Sequence, residues 1–305
     1  MLGVVLTILF AVVLPRIAPE RLHDGVVTIQ RLPAIAERAR ATTQAGVVRG
    51  ATTPVPSVSA RASGVWDPLT KDFLHADRID DAHPIASVTK LMTALVALEH
   101  GLDLGTTLTL TSDDNDPEGS RVGLATGSMV SVRDLLGASL VGSANNATEA
   151  LVRATGVDEA AFVRLMNDRA ASLGMSDTRF TDVTGLGNRN TSTVRDLIRL
   201  ALAAFAKPEI ASYTSTPEVF VADQRNGKPV GVRNTNILVG SDLRISAGKT
   251  GYTEAAQGVL VARVRGLGDR EVIVAVLESA GRTARFIDVR ALADWTFANH
   301  TWSDQ

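Results

Sequence analysis

Cysteine is absent from all 305 residues of the chain. Its absence excludes disulfide bridges, cysteine-rich zinc sites and a cysteine nucleophile. It does not identify the cellular compartment, because a chain without thiols is compatible with reducing and oxidising surroundings alike. Any nucleophile in this chain is therefore a residue other than cysteine.

An excess of either charge is also absent. The chain carries 31 basic and 33 acidic residues, a net charge of −2. Nucleic-acid-binding proteins usually have a basic imbalance, so no nucleic-acid partner is predicted. The 5 histidines include no pair at the spacing of metal ligands, so neither a metal nor another cofactor is predicted. A composition of 45% hydrophobic and 21% charged residues is typical of a globular protein with one large domain or two small ones.

Lysine is scarce, since only 5 of the 31 basic residues are lysines. Arginine keeps its proton at any physiological pH, whereas a lysine amine can lose it when buried. The few positions that retain lysine are therefore candidates for chemistry that needs a neutral amine. They are Lys71, Lys90, Lys207, Lys228 and Lys249.

One apolar run stands at the amino terminus, from Leu2 to Leu14, and Pro15 ends it. It is shorter than the ~20 residues that span a bilayer comfortably, but long enough for the apolar part of a secretion signal. We expect residues 1–17 to be a signal peptide or an uncleaved membrane anchor, with a buried core helix as the alternative. No basic residue precedes the run and no small-x-small site follows it, so cleavage stays open. Residues 18–57 are small, polar and proline-bearing, which predicts a linker.

Residues 58–300 show the patterns of a folded domain. A strand is predicted at 60–66, and two long strands of a hairpin at 258–264 and 271–277. Helices are predicted from Ser87 to a stop at Gly101, and at 131–142, 145–155, 158–173, 193–205 and 283–299. This order predicts an α+β fold in which helices pack on an antiparallel sheet.

The first motif with chemical potential is Ser87-Val88-Thr89-Lys90. Residues three apart share a helix face, so the Lys90 amine lies beside the Ser87 hydroxyl. A serine hydroxyl is a weak nucleophile until a neighbouring base takes its proton, and a lysine neutralised by burial and nearby cations can do so. The helix N-terminus stabilises a developing oxyanion. Alone, the pattern is equally that of an N-cap serine and a surface lysine.

The second motif is Ser143-Ala144-Asn145, between two predicted helices. A tight corner there can direct side chains into a cleft, where the Ser143 hydroxyl could relay a proton and the Asn145 amide could bind a substrate amide. The alternative is an ordinary helix cap formed by Ser143, Asn145 or Asn146.

The third motif is Lys249-Thr250-Gly251, which precedes the predicted hairpin. The lysine can anchor an anion, the threonine can offer a hydroxyl to a carboxylate, and the glycine lets the backbone approach a ligand closely. Alone, this motif is better explained as a strand-edge lysine followed by a turn glycine.

Together, S-x-x-K, S-x-N and K-T-G in this order follow the motif set of class A β-lactamases and penicillin-binding proteins. The chain resembles the low-molecular-mass penicillin-binding proteins, the serine-type D-alanyl-D-alanine carboxypeptidases. Longer blocks are also similar to that family, and the resemblance covers about residues 59–297. These blocks include PIASVTKLMTALVALE, LGMSDTRFTDVTGL, RISAGKTGYTEAAQGVLVA and ARFIDVRALADWTF.

The resemblance implies a β-lactamase-like fold with a mostly helical subdomain, and an exported enzyme that acts on peptidoglycan. Ser87 would attack the carbonyl between the two terminal D-alanines of a stem pentapeptide, with Lys90 as general base and Ser143 passing a proton to the leaving D-alanine. Water would then release the shortened peptide, and β-lactams would be covalent inhibitors. The protein would lie at the outer face of the cytoplasmic membrane, held by its N-terminal segment, or be secreted to the cell wall.

The resemblance also implies binding roles. Backbone N–H groups of Ser87 and Tyr252 would form the oxyanion hole, Asn145 would hold the peptide, and Lys249, Thr250 and Gly251 would meet the terminal carboxylate. Arg285, directly before Phe286, would help bind that carboxylate, with an exposed helix arginine as the alternative. Two departures from the family are Ala144, where relatives often have glycine or aspartate, and Thr184, where many have histidine.

Three other functions stay open. A D,D-endopeptidase that cuts peptidoglycan cross-links would use the same residues. A class A β-lactamase needs a glutamate-bearing loop for deacylation, and residues 176–190 contain no glutamate. A penicillin-binding sensor without activity would not need the Ser87–Lys90 pair.

Overall fold

A five-stranded antiparallel sheet forms the centre of the described part of the chain, which comprises residues 47–49, 53–114 and 118–302 of this computed structural model. The described strands are β1 Val47–Arg49, β2 Ala62–Asp67, β3 Asp72–Asp77, β4 His83–Pro84, β5 Thr107–Thr109, β6 Met129–Ser131, β7 Thr191–Ser192, β8 Glu218–Ala222, β9 Pro229–Arg233, β10 Arg244–Thr253, β11 Gln257–Arg265, β12 Glu271–Ser279 and β13 His300–Trp302. The strand order in the main sheet is β10-β11-β12-β2-β3, so β10 and β3 are its edges. The other described strands form two-stranded pairs: β1 with β13, β4 with β7, β5 with β6, and β8 with β9.

Helices cover the sheet on both faces. They are α1 Thr89–Glu99, α2 Val132–Val141, α3 Asn145–Ala154, α4 Glu159–Ser172, α5 Val194–Ala204, α6 Pro208–Thr214 and α7 Gly281–Asn299. Short 3-10 turns lie at Ala86–Val88 and Leu267–Asp269. The predicted α+β fold with helices on an antiparallel sheet is confirmed.

Strands β11 and β12 show how the sequence specifies two cores. Side chains alternate between the faces of a strand, and both faces here are buried, so apolar residues run continuously. Leu260 and Val274 pack in one core with residues of α7, such as Leu292. Val261 and Ala275, one residue further along each strand, pack in the other core with residues of α1 and α5.

Helix α1 lies inside the core that contains Val261 and Ala275, and it is buried from Thr89 to Ala97. Apolar residues on nearly every side account for this central position, because a helix that is apolar all round has no face for solvent. The chain leaves it through Gly101 at φ +76°, a conformation that favours glycine, as predicted for the helix stop.

The predicted helix starts at 131, 158 and 193 are N-caps. The side chains of Ser131, Asp158 and Thr193 each accept a hydrogen bond from the backbone N–H three residues later. This is the bond that makes Ser, Thr and Asp common at helix starts.

Some predicted positions need correction. Ser87 is not the first residue of an α-helix: it lies in the 3-10 turn Ala86–Val88, and α1 begins at Thr89. The K-T-G motif lies within strand β10, which was not predicted. The prediction also lacked β3 and α6, which are short, and the β8–β9 hairpin, whose alternating valines around Asn226-Gly227 were overlooked.

The predicted signal or anchor, residues 1–17, lies outside the described residues, as does most of the predicted linker. Within residues 53–114 and 118–302, no helix is long and apolar enough to cross a bilayer. Residues at the end of the predicted linker contact α7: the Thr53 N–H and hydroxyl both donate to Asn299 Oδ1, at 2.9 and 2.8 Å.

Candidate active site

Ser87 and Lys90 are adjacent, although Ser87 precedes the α-helix. The distance from Lys90 Nζ to Ser87 Oγ is 3.1 Å. The 3-10 turn continues directly into α1, so residues three apart still face the same way. Ser87 is partly accessible, as a nucleophile must be, whereas Lys90 is fully buried and is not the surface lysine of the plainer interpretation.

The buried amine of Lys90 has two further partners. Its Nζ lies 2.7 Å from Asn145 Oδ1 and 2.7 Å from the Thr184 carbonyl oxygen. Burial lowers the pKa of Lys90 to about 7, against the opposing effect of the Asp182 and Glu149 carboxylates. A neutral amine has two N–H groups and one lone pair. The two acceptors can take both N–H groups, which leaves the lone pair directed at the Ser87 hydroxyl.

Ser143 lies at the corner between α2 and α3 with φ +60°, a strained conformation for a residue other than glycine. It does not cap α3, whose N-cap is Ala144 with no side-chain hydrogen bond. Its hydroxyl instead accepts a hydrogen bond from Lys249 Nζ at 2.9 Å. Strained backbone at this corner therefore presents the hydroxyl to the cleft rather than to the helix.

Lys249 is buried, so it is not the ordinary strand-edge lysine that was the alternative explanation of the K-T-G motif. Its Nζ donates to Ser143 Oγ and, at 3.0 Å, to the Thr250 carbonyl. Burial lowers the pKa of Lys249 well below its usual value, and the charges of Lys90 and Arg285 lower it further. A bound anion would offset this cost, so the amine is suited to a carboxylate.

Strand β10 carries the K-T-G motif along one edge of the main sheet. A Cβ at Gly251 would lie 2.5 Å from the Ile85 carbonyl oxygen, so only glycine allows the strand to pass this close to the Ser87 turn. The Thr250 hydroxyl is 2.6 Å from the hydroxyl of Thr235. The motif thus brings β10 against the Ser87 turn, and both hydroxyls stand at the cleft wall.

Arg285 is only 8% exposed, so it is not an ordinary exposed helix arginine. Its Nη1 donates to the Gly251 carbonyl at 2.9 Å, while its Nε has no hydrogen-bond partner among the described residues. Burial lowers the pKa of Arg285 to about 10, and the neighbouring Arg282 adds to the effect. The guanidinium thereby has unused donor capacity beside the K-T-G strand.

These residues surround one cavity of about 470 Å³. It brings together side chains from α7, from β10 and from loops that are far apart in sequence. Its lining residues are Ser87, Gly119, Ser120, Ser143, Asn145, Gly185, Leu186, Thr235, Thr250, Gly251, Tyr252, Thr253, Arg282 and Arg285. Lys90 and Lys249 lie directly behind this wall, bonded to Ser87 and Ser143.

The sequence interpretation did not identify the loop of residues 182–190, whose backbone contacts Lys90. Asp182 Oδ1 accepts hydrogen bonds from the N–H groups of Thr184 and Gly185, at 2.9 and 2.5 Å. Asn190 Nδ2 ties the loop to Thr89 Oγ1 at 3.0 Å. Thr184 contacts Lys90 through its backbone carbonyl oxygen. The hydrogen bond therefore does not depend on the side chain, and a threonine where many relatives have histidine preserves it. The only available sequence signal was the TDVTGL block.

Gly185 offers a test of how tightly this loop is fitted. It has φ +83°, and an added Cβ would overlap the Ala86 carbonyl group. We expect Gly185→Ala to lower the free energy of unfolding by about 3 kcal/mol, the sum of left-handed backbone strain and overpacking. The matched control is Gly101→Ala, also at positive φ but with open space around the Cβ, for which about 1 kcal/mol is expected. Urea unfolding measures both; equal losses would contradict the proposed steric fit.

The chain is similar to known proteins in sequence and in fold. A family model described as D-alanyl-D-alanine carboxypeptidase matches residues 49–281. The D-alanyl-D-alanine endopeptidase of Pseudomonas aeruginosa is 36% identical over 246 residues, 79% of this chain and 79% of that protein. The crystal structure of D-alanyl-D-alanine carboxypeptidase from Mycobacterium tuberculosis has a TM-score of 0.75 at 30% identity, covering 84% of this chain and 98% of the other. Penicillin-binding protein D2 of Listeria monocytogenes, in its cefotaxime-bound form, has a TM-score of 0.70 at 32% identity, covering 80% and 99%.

Proposed function

This chain belongs to the D-alanyl-D-alanine carboxypeptidase family of serine peptidases, and from that premise we propose that it removes the terminal D-alanine from peptidoglycan stem pentapeptides through an acyl-enzyme on Ser87. The observation that carries the proposal is the Lys90 Nζ–Ser87 Oγ distance of 3.1 Å at a fully buried lysine. A base whose pKa lies near 7 is well matched to proton transfer at neutral pH.

In the proposed acylation, Ser87 Oγ bonds to the carbonyl carbon between the two D-alanines, and Lys90 takes the serine proton. The carbonyl oxygen becomes an oxyanion, for which we propose the backbone N–H groups of Ser87 and Tyr252 as donors. The close approach of β10 to the Ser87 turn, at Gly251, supports this pairing. Donors fixed in advance stabilise the developing charge without reorganisation.

Collapse of the tetrahedral intermediate breaks the peptide C–N bond. The leaving nitrogen needs a proton, and we assign its delivery to the Ser143 hydroxyl, which sits 2.9 Å from Lys249 Nζ. Ser143 takes in exchange the proton that Lys90 removed from Ser87, so Lys90 is neutral again. In deacylation water attacks the ester, the neutral Lys90 accepts the water proton and returns it to Ser87 Oγ, and Ser87 leaves as the hydroxyl. Lys90 is thus the general base in both half-reactions.

Binding of the substrate is assigned to the remaining residues. Lys249, Thr250, Gly251 and Arg285 would hold the terminal carboxylate, supported by the buried amine of Lys249 and by Arg285 Nε, which has no hydrogen-bond partner among the described residues. Asn145 would hold the peptide. Its Oδ1 faces Lys90 and one Nδ2 hydrogen reaches the Glu118 carbonyl at 3.3 Å, which leaves the other hydrogen for a substrate carbonyl.

The β-lactamase alternative is not supported by the described cavity. Its lining residues include no glutamate, whereas Glu149 and Glu159 line a neighbouring cavity of about 460 Å³. A carboxylate that activates the deacylating water must lie at hydrogen-bond distance from a water placed beside the ester. The sensor alternative would leave the Ser87–Lys90 pair without a use.

A D,D-endopeptidase is the second candidate, and the 36% identity to the Pseudomonas aeruginosa endopeptidase favours it. Both activities cut a bond between a D-alanine carbonyl and an amine. They differ only in the leaving amine, which is free D-alanine in one case and part of a second peptide in the other. The catalytic residues named above serve both.

The two activities separate in one assay with the full chain in mild detergent. The substrates are a stem pentapeptide and a purified cross-linked dimer, and the products are quantified by mass spectrometry. A carboxypeptidase is expected to release D-alanine with a kcat/KM at least about tenfold above that for dimer cleavage. The reverse ratio would make the protein an endopeptidase, and activity on neither would contradict both assignments.

Relatives of this chain are bacterial cell-wall peptidases, which fits a substrate outside the cytoplasmic membrane. We propose that residues 1–17 direct export and place the catalytic domain at the outer face of that membrane or in the wall. The apolar run Leu2–Leu14 supports this proposal.

A further inference from the structure

Arg282 lines the cavity, yet the reaction described above does not use it. It lies in the first turn of α7 and is exposed. Its guanidinium carbon is 4.2 Å from the centroid of the Tyr252 ring, which is cation–π distance. The ring therefore holds this cation at the cavity wall.

The start of α7 lies beside the Tyr252 end of strand β10. Gly281, the first residue of α7, is so close to β11 that a Cβ added at Gly258 would lie 2.6 Å from the Gly281 carbonyl oxygen. Gly258 is the residue of β11 that pairs with Tyr252. Arg282, the next residue of the helix, accordingly stacks on the Tyr252 ring.

From this point α7 runs back along β10, toward the start of the strand. One turn later, Arg285 Nη1 donates to the Gly251 carbonyl at 2.9 Å. Further along the helix, Arg290 Nη1 donates at 3.0 Å to Asp242, which comes just before β10 begins. The two arginines at the cavity are therefore ordered along the strand, with Arg285 beside the K-T-G motif and Arg282 beyond its end.

The proposed assignments give the substrate a direction along this strand. Its terminal carboxylate lies with Thr250 and Arg285, and its scissile carbonyl oxygen receives the Tyr252 N–H. The step from Thr250 to Tyr252 thus leads from the leaving D-alanine to the scissile carbonyl, and the acyl part of the substrate continues beyond Tyr252. Because Arg282 lies at this far end, it is placed beside the acyl part rather than the leaving residue.

The stability of α7 does not explain an arginine at this position. A helix N-terminus carries a positive partial charge, so a cation in the first turn is unfavourable. The first turn of α7 contains no acidic residue, and its N-cap Ala280 makes no side-chain hydrogen bond. Glu254 accepts a hydrogen bond from the Tyr252 hydroxyl at 3.1 Å, and no carboxylate of the described residues forms an ion pair with Arg282. The guanidinium is thus available to an anion in the cavity.

We propose that Arg282 is a specificity-determining residue that binds a carboxylate on the acyl side of the substrate, in the side chain of the residue before the acyl D-alanine. A guanidinium stacked on a ring keeps its N–H edge for a carboxylate. Stem peptides with a diamino diacid at this position carry such a group, whereas those with its amide or with lysine do not. The inference rests on the proposed function, because the direction of the substrate follows from the roles of Thr250 and Tyr252.

The test uses two pairs of peptides with the full chain in mild detergent. The acyl pair is N-acetyl-X-D-alanyl-D-alanine, in which X is L-2-aminopimelate or its side-chain amide. The leaving pair keeps the amide as X and has D-2-aminopimelate or its side-chain amide as the leaving residue. Within each pair the peptides have the same length and shape and differ in one carboxylate. The readout is the ratio of kcat/KM for the acid to kcat/KM for the amide, which cancels any loss of folded or active enzyme.

For the acyl pair and the wild-type chain we expect this ratio to be about five, the effect of one partly exposed charge pair. Arg282→Gln is expected to bring it to about one, and Arg282→Lys to an intermediate value, since lysine keeps the charge but not the planar fork. Arg61→Gln removes the same charge from an exposed residue that is not among those lining the cavity, and should leave the ratio at about five. The ratio for the leaving pair should be the same in the wild type and in Arg282→Gln.

The outcomes are distinct. A wild-type ratio of one for the acyl pair, or a ratio of five that persists in Arg282→Gln, would overturn the role of Arg282 while leaving the peptidase assignment intact. A ratio that Arg282→Gln changes only in the leaving pair would place Arg282 on the leaving side and overturn the inference as well. A wild-type enzyme that released no leaving residue from any of these peptides would overturn the proposed function, and this inference with it.

Discussion

Replacing Ser87 with alanine is expected to reduce D-alanine release by at least about 10⁴-fold and to abolish covalent labelling by a fluorescent penicillin. The reason is that, among the described residues, Ser87 carries the one cavity hydroxyl that contacts the proposed base Lys90, whereas the Ser143 hydroxyl bonds to Lys249. Activity is measured by D-alanine release from a stem pentapeptide, and labelling by in-gel fluorescence of the full chain.

The matched control for this variant is Ser176→Ala, an exposed serine whose hydroxyl contacts only the neighbouring Asp177 among the described residues. It should keep wild-type activity and labelling. Because Ser87 is partly accessible and the substitution removes only its hydroxyl, the variant should unfold at nearly the wild-type temperature. Persistent labelling of folded Ser87→Ala would show that another residue is the nucleophile.

Replacing Lys90 with glutamine is expected to lower kcat/KM by about 10³-fold, the size of a lost general base. Glutamine has a similar reach, but its amide is no base at any accessible pH. The exposed lysine Lys228 provides the control as Lys228→Gln, which should keep the wild-type rate. Penicillin labelling should slow by a similar factor, since acylation by either substrate needs the serine proton removed.

The wild-type pH profile gives an independent readout of the same lysine. Burial lowers the pKa of Lys90 from 10.5 to about 7, so the amine is mostly neutral above pH 7 and mostly protonated below it. Only the neutral amine can act as a base. We therefore expect kcat/KM to fall about tenfold per pH unit below pH 7 and to level off above it. A profile that is flat from pH 5.5 to 8 would contradict the assignment of Lys90 as base.

Local signals in the sequence were sufficient for part of the fold. The cap residues Ser131, Asp158 and Thr193 marked helix starts because the capping bond spans only three residues. The β11–β12 hairpin was visible because both strands are apolar and adjacent in sequence. Such features depend on neighbours within a few residues, so a single sequence contains them.

Strand β10 was missed because its sequence, RISAGKTGYT, contains two glycines and no alternation of apolar residues. It is a strand because it pairs with β11 along its length, from Arg244 with Arg265 to Thr253 with Gln257. The β8–β9 hairpin differs, because valines alternate in EVFVA and PVGVR on either side of Asn226-Gly227, a local hairpin signal that the sequence interpretation overlooked. Tertiary context decided β10.

The sequence by itself determined the chemical groups of the site: two serines, two lysines, an asparagine and a threonine in three motifs whose order indicates one family. Only the tertiary structure decided that Lys90 and Lys249 are buried, that Thr184 supplies a carbonyl to one, and that Ser143 accepts a hydrogen bond from the other. The physical reason is that a pKa depends on burial and on charges brought near by the fold, and these contacts join residues up to 106 positions apart. Motif spacing identifies the groups, whereas folding lowers the pKa of Lys90 to about 7, so that its neutral amine is available to take a proton at neutral pH.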